Sequence, residues 1–383
     1  MIPGLTIELS VAALCIFTFG VFVASRLVSL PAALFTSAVK VLIALIYFSF
    51  FFNPDWALID GINYFRSGRE LLAAGYTPIS VFDADAVIES MAAAGGHHVL
   101  YDWYNVLSQW VFGDFYASAV FMNIGLTFVS AYLLCRIVEL LGFPSTYRNG
   151  LFIFFSLHWE LLSWTSLTNL KDTLVLTLTV TSFYAGIKFA KFRRPRQIIW
   201  IVILLFLFYW IRFYVPLLMI TAVLIWSLSM LRGRRQLFIV LGVLIAVAAY
   251  GTGLGWDGVS EGLGRLSLGA DMLIGTIRVI VVPRPWGIEP EYEFLTIAAA
   301  LHWIFVVPTI LGVWMLWRTT PQLRPLFIYL GIIFLFYGAF EELQGSRQRI
   351  QVLFIYALAQ YHFMWCLLHY ISRTSSATLM SRK

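Results

Sequence analysis

Apolar runs recur along the whole chain, separated by short polar stretches. Most are close to the 17–25 residues a helix needs to cross a ~30 Å hydrocarbon layer. Backbone groups in lipid must bond internally, so such runs predict helices. They are continuous and do not alternate, which excludes the strands of a β-barrel. The pattern predicts an all-α, polytopic helical membrane protein of about eleven spans, near 6–24, 34–52, 116–135, 150–165, 172–190, 198–211, 215–231, 236–252, 297–317, 325–340 and 350–371. The sixth and seventh are short, with Arg212-Phe213-Tyr214 between them, and could form one helix kinked at Pro216. The chain opens without a basic stretch or a small-residue cleavage site, so the first run is expected to stay in the mature protein.

Two stretches between spans are long, 53–115 and 253–296. Both are expected to carry amphipathic helices on one membrane face, within a single integral-membrane domain. The connections on the opposite face are short and basic. Sixteen of the 26 Lys and Arg residues fall on that second side, including the run Lys188, Lys191, Arg193, Arg194 and Arg196. Positive charge marks the cytoplasm. The N-terminus is then outside, the C-terminus inside, and both long loops outside. Of 20 acidic residues, only Glu139 lies on the cytoplasmic side.

Composition agrees. Hydrophobic residues make up 60% of the 383, charged residues 12%, and mean hydropathy is +0.84. An ordinary soluble domain is about one quarter charged. The net charge of +6 follows from the orientation rule and calls for no nucleic acid. Cys15, Cys135 and Cys366 sit in apolar spans with neither metal-ligand spacing nor a disulfide pattern.

Candidate chemistry collects on the acidic face. Asp55 and Asp60 follow the second span. A partly shielded carboxylate there could be tuned toward a general base, although Asn53-Pro54-Asp55 also reads as a turn. His97, His98, Tyr101, Asp102, Trp103, Tyr104 and Trp110 close the first loop. Its aromatics form either an interfacial belt or a surface on which a sugar stacks. Adjacent histidines diverge and make a weak metal signal. Nothing fixes a divalent ion, though an Asp/Glu/His cluster could hold Mg²⁺ or Mn²⁺.

Lys171 and Asp172 open the fifth span. The helix dipole favours Asp172 there and disfavours Lys171, so a fixed anion such as a phosphate would account for the lysine. Glu160, beside His158 and Trp164, lies inside the fourth span, where ionisable groups are costly and usually functional. Arg212, among aromatics, suits a bidentate phosphate contact or a snorkelling position. In Pro283-Arg284-Pro285-Trp286 the prolines make a rigid platform. Arg347 and Arg349 precede the last span. They do not share a helix face, so one is expected to point inward as a phosphate ligand.

Taken in order, these short motifs resemble the C-type integral-membrane glycosyltransferase superfamily, in particular its bacterial dolichyl-phosphate-mannose-protein mannosyltransferase-like branch. The resemblance rests on Asp60 with Tyr64 and Gly75-Tyr76, Tyr101-Asp102-Trp103-Tyr104 through Phe112-Gly113-Asp114, Asn169-Leu170-Lys171-Asp172, Pro283-Arg284-Pro285-Trp286, and Gly345-Ser346-Arg347-Gln348-Arg349. It implies a multi-pass protein of the bacterial inner membrane that transfers a sugar from a polyprenyl-phosphate donor to a glycan, lipid or protein hydroxyl outside. Asp60 matches the family's catalytic first-loop aspartate, and Asp55 and Asp102 are the further catalytic carboxylates considered. Lys171, Arg212, Arg347 and Arg349 would neutralise the phosphate. Tyr64, His98, Trp103, Glu160 and Trp286 would contact substrate. An O-antigen or exopolysaccharide polymerase would weight Arg265, Arg278 and Arg284 instead. A transporter for lipid-linked sugars would need deep charges, for which only Lys40 and Glu160 qualify.

Overall fold

The computed structural model describes residues 6–93, 98–230, 269–286, 288 and 290–380. The eighth expected span, 236–252, and His97 and Arg265 lie outside them. The described residues are helical, with no strand among them.

Among the described residues, seven helices are long and apolar enough to cross a membrane: Ile7–Ala24, Leu30–Phe51, Ala117–Leu140, Asp172–Phe192, Tyr292–Thr319, Pro321–Ala339 and Ser346–Ile371. They match the first, second, third, fifth and last three expected spans. The fourth is broken: helix α7 (Ser145–Ser156) stops, and a single π-turn, Leu161–Thr165, follows. The sixth and seventh are separate helices of 17 residues each, α9 (Arg196–Arg212) and α10 (Tyr214–Met230). Pro216 lies in the first turn of α10, where a missing N–H costs nothing. Along α9, Ile198, Ile199, Trp200, Val202 and Phe206 are exposed. A contiguous apolar face of this kind fits a protein embedded in lipid.

Two compact units divide the chain. The first comprises residues 1–212, 285–312 and 350–383. Its centre is α6 (Ala117–Leu140), on which α1 (Ile7–Ala24), α2 (Leu30–Ile46), α7 and α8 (Asp172–Phe192) pack. The Thr6 hydroxyl caps α1 by accepting from the Leu9 N–H at 3.2 Å. After α2 and a π-turn, Asn53 Oδ1 accepts from the Asp55 N–H at 3.0 Å, and Pro54 ends the span. The loop that follows contains α3 (Ile59–Ala73), α4 (Ala84–Ala93) and α5 (Val99–Phe112). Their core is Leu71, Ala86, Val99, Trp103 and Val106.

The second unit comprises residues 213–284 and 313–349. Here α11 (Ala270–Val281) packs against α13 (Arg324–Ala339), as does α10. A Cβ on Gly275 would lie 2.2 Å from the Gly338 carbonyl, so the close approach of α11 and α13 requires glycine. Two elements remain: α12 (Thr296–Thr319), which runs through residues of both units, and α14 (Leu353–Met380) in the first.

Candidate active site

Asn169, fully buried in the segment between the π-turn and α8, ties three elements together. Its amide nitrogen donates to the Gly61 carbonyl of α3 at 3.1 Å and to Asn105 Oδ1 of α5 at 2.8 Å. Its oxygen accepts from the Tyr101 hydroxyl at 2.7 Å. The Asn123 amide of α6 donates to that same hydroxyl at 3.2 Å, and Asn123 Oδ1 accepts from Tyr104 at 3.0 Å. A Cβ on Gly61 would stand 2.9 Å from the Asn169 carbonyl and 2.7 Å from the Tyr116 hydroxyl. Only glycine lets the start of α3 come so close. The partners lie on α3, α5 and α6, so the framework has little freedom.

The framework holds four reactive groups around Lys171. Lys171 is 6% exposed, with Nζ 2.8 Å from Nδ1 and 2.6 Å from Nε2 of His98. His98 Nδ1 is also 3.3 Å from the Ile211 carbonyl. One tautomer serves both partners: Nδ1–H donates to Ile211 and Nε2 accepts from Lys171. The ammonium lies 5.7 Å from the centre of the Tyr64 ring, which stands edge-on to Tyr101 at 4.8 Å. His98 has φ 74°, a left-handed conformation uncommon outside glycine, asparagine and aspartate.

Asp102, one turn into α5, is 2% exposed. Burial pushes its carboxyl up to about 7, against the opposing pull of Lys171 and the Ser67 hydroxyl. Burial likewise holds the Tyr101 hydroxyl well above its ordinary value, so it remains a hydrogen-bond donor.

Next to Lys171, Asp172 opens α8 and pairs with Arg212 at 2.7 Å, both buried. This pair is neutral overall. Lys171 stands beside this pair, at a helix N-terminus that itself favours anions. A group that brings a negative charge here meets an ammonium, an imidazole and the α8 amides.

The remaining sequence candidates take other positions. Asp60 is exposed in the first turn of α3, next to Gly61, and the helix dipole favours it there. Asp55 is exposed in the turn that Asn53 caps, the structural alternative for that motif. Trp103 is core rather than surface and presents no face to a sugar. Trp286 is exposed, its ring 5.2 Å from that of Trp303. Glu160 pairs with His302 at 2.9 Å.

Arg347 and Arg349 belong to the second unit. Arg349 is buried, and its Nη1 donates to the carbonyls of Val279, at 2.8 Å, and Val282. It is the inward arginine of the two, but its contacts pin the end of α11. Arg278 donates to Gln344 at 2.8 Å. Among the described residues no three His, Cys, Asp or Glu side chains form a metal-binding cluster.

Sequence reasoning did not foresee Asn105, Asn123 or His302. For the α5 partners a signal existed. Tyr101, Asn105 and Gln109 recur every four residues and mark a polar stripe on a helix otherwise read for its aromatics.

No family model, no curated protein and no solved structure matches this chain. The geometry therefore has to support the reading alone. A shielded carboxyl near neutrality can take a proton from a hydroxyl, and a buried ammonium can neutralise a departing oxyanion. Together they suit displacement of an anionic leaving group by an alcohol.

Proposed function

We propose that the protein is a membrane glycosyltransferase that moves a sugar from a polyprenyl-phosphate donor to an acceptor hydroxyl on the outer face of a bacterial inner membrane. The observation that carries this reading is the juxtaposition of Asp102 and Lys171, both buried, on a framework that fixes them. Asp102 takes the proton of the acceptor hydroxyl. The acceptor oxygen forms a bond to the anomeric carbon as the bond from that carbon to the phosphate oxygen breaks. Lys171, with His98 and the first amides of α8, neutralises the polyprenyl phosphate that leaves. Displacement from the opposite face inverts the anomeric centre.

Of the three carboxylates read from the sequence, Asp102 is the one whose burial suits a base near pH 7. Asp60 sits at the exposed mouth of the same framework, where it can orient the acceptor. Lys171 takes precedence over Arg212 as phosphate ligand, because Asp172 already neutralises Arg212. The apolar helices of the first unit give the isoprenoid tail a hydrocarbon path.

The test is turnover by purified protein in nanodiscs, supplied with polyprenyl-phosphate sugars and read as released polyprenyl phosphate. Asp102→Asn should lose about a hundredfold or more, the contribution typical of a general base, and Asp60→Asn should lose much less. Full activity in Asp102→Asn, with loss confined to Asp60→Asn, would move the base to Asp60. No turnover with any such donor would sink the reading.

A further inference from the structure

Helix α8 ends on an arginine where the backbone suits glycine. Arg193 has φ 51° and ψ 31°, and its N–H donates to the Phe189 carbonyl at 2.7 Å. A left-handed residue at the end of a helix is usually glycine, because a Cβ is strained there. Two more arginines follow in the turn to α9, Arg194 and Arg196, with Pro195 between them. All three are exposed. Asp172–Phe192 is of spanning length, so this turn lies at a membrane boundary.

The cations around the turn have partners. Arg136 and Arg148 both pair with Glu139, Arg148 at 3.1 Å. Lys191 donates to the Leu140 carbonyl at 2.7 Å, at the C-terminal end of α6 where the helix dipole favours a cation. Lys188 donates to the Tyr184 hydroxyl at 3.1 Å. Among the described residues, none of Arg193, Arg194 and Arg196 has a carboxylate within 4 Å. The Arg194 guanidinium lies 5.7 Å from the centre of the Phe192 ring, which restrains it at the turn.

Arg196 also heads a stripe. Arg196, Ile199, Trp200, Ile203 and Phe206 recur at helical spacing and share one face of α9. The four apolar members are between 41% and 62% exposed. At 1.5 Å per residue the stripe is about 15 Å long. That is half of a ~30 Å hydrocarbon layer, the depth of one leaflet.

We propose that the α8–α9 turn is a binding site for an anionic phospholipid. Arg193, Arg194 and Arg196 hold the phosphate, and an acyl chain lies along the α9 stripe. Phosphate oxygens match the fork of a guanidinium. Trp200, about 6 Å further along α9 than Arg196, stands where an indole meets the lipid interface. A topological signal requires only positive charge. It requires neither an arginine in a left-handed conformation nor a leaflet-deep apolar stripe beside it. The candidate active site lies elsewhere: Ile211, whose carbonyl faces His98, is about 22 Å along α9 from Arg196. The lipid site does not depend on whether the chain transfers sugars.

The experiment is native mass spectrometry of the delipidated full chain in detergent, titrated with dioleoyl phosphatidylglycerol or dioleoyl phosphatidylcholine. These lipids share their chains and differ in headgroup charge. The first phosphatidylglycerol should bind at least about tenfold more tightly than the first phosphatidylcholine, since each basic residue at such a surface is worth roughly fivefold. Arg193→Gln, Arg194→Gln and Arg196→Gln combined should abolish the preference. Arg193→Gly alone should weaken phosphatidylglycerol binding about fivefold. Because glycine suits this backbone, that variant should melt no lower than wild type without added lipid, which separates lost binding from lost fold. Arg318→Gln with Arg324→Gln, outside the turn, should leave the preference intact. Equal binding of the two lipids, a preference that survives the triple variant, or one that is lost in the Arg318/Arg324 control overturns the proposal. So does displacement of the lipid by glycerol 3-phosphate, which would make the turn a site for a soluble anion.

Discussion

Replacing Asp102 with asparagine keeps the shape of the side chain and removes its ability to ionise. The wild-type carboxyl is raised from 3.8 to about 7 by burial. In the folded chain it keeps its proton up to about pH 7, whereas in the unfolded chain it loses it near 3.8. Between those values the folded state binds more protons, so its stability falls as pH rises through that window and is level above it. A rise of this size corresponds to about 4 kcal/mol. Asp102→Asn has no such dependence. Relative to wild type, the variant should gain up to about 4 kcal/mol between pH 4 and pH 8, while losing activity. The assay is thermal unfolding in detergent at both pH values, where this difference amounts to several degrees. Because Lys171 holds the Asp102 carboxyl down, Lys171→Met should carry the wild-type window to higher pH. If wild type and Asp102→Asn differ in melting temperature by the same amount at pH 4 and pH 8, the shielded-carboxyl account is wrong.

Arg212→Met leaves Asp172 as a buried charge without its cation and should cost about 3–5 kcal/mol, whereas Arg212→Met with Asp172→Leu should recover most of it; unfolding of the two variants decides. Asn169→Ala strips partners from Tyr101, Asn105 and the Gly61 carbonyl. It should cost about 1–3 kcal/mol in the same assay and loosen α3 in hydrogen exchange. Gly61→Ala drives a methyl against the Asn169 carbonyl and should destabilise by about 1–3 kcal/mol. Intact stability in either variant would show that the framework does not depend on that contact.

The spans that read most clearly in the sequence were those with long, unbroken apolar runs, and all seven of these are helices of spanning length. The fourth expected span was misread as continuous because hydropathy averages over single residues. His158 and Lys40 satisfy a broken rung there, and only the fold brings Lys40, 116 residues away, to Ser156. Trp103 was weighed in the sequence as part of an interfacial belt or as a surface on which a sugar stacks. What decides its role is the packing of α3 and α4 over it, which the pattern along one helix does not contain. Lys171 was legible from a local conflict with the helix dipole. Its partner His98, 73 residues earlier, was legible only as a motif. Asp102 stood out less than Asp60 in the sequence, because depth of burial depends on tertiary structure.

The most direct measurement of the central claim is a structure of the chain in nanodiscs with a bound polyprenyl phosphate. The account predicts phosphate density within hydrogen-bonding distance of Lys171 Nζ and the first amides of α8, with Asp102 facing the sugar side. Phosphate density bound instead by Arg347, with Lys171 still held on His98, would contradict it.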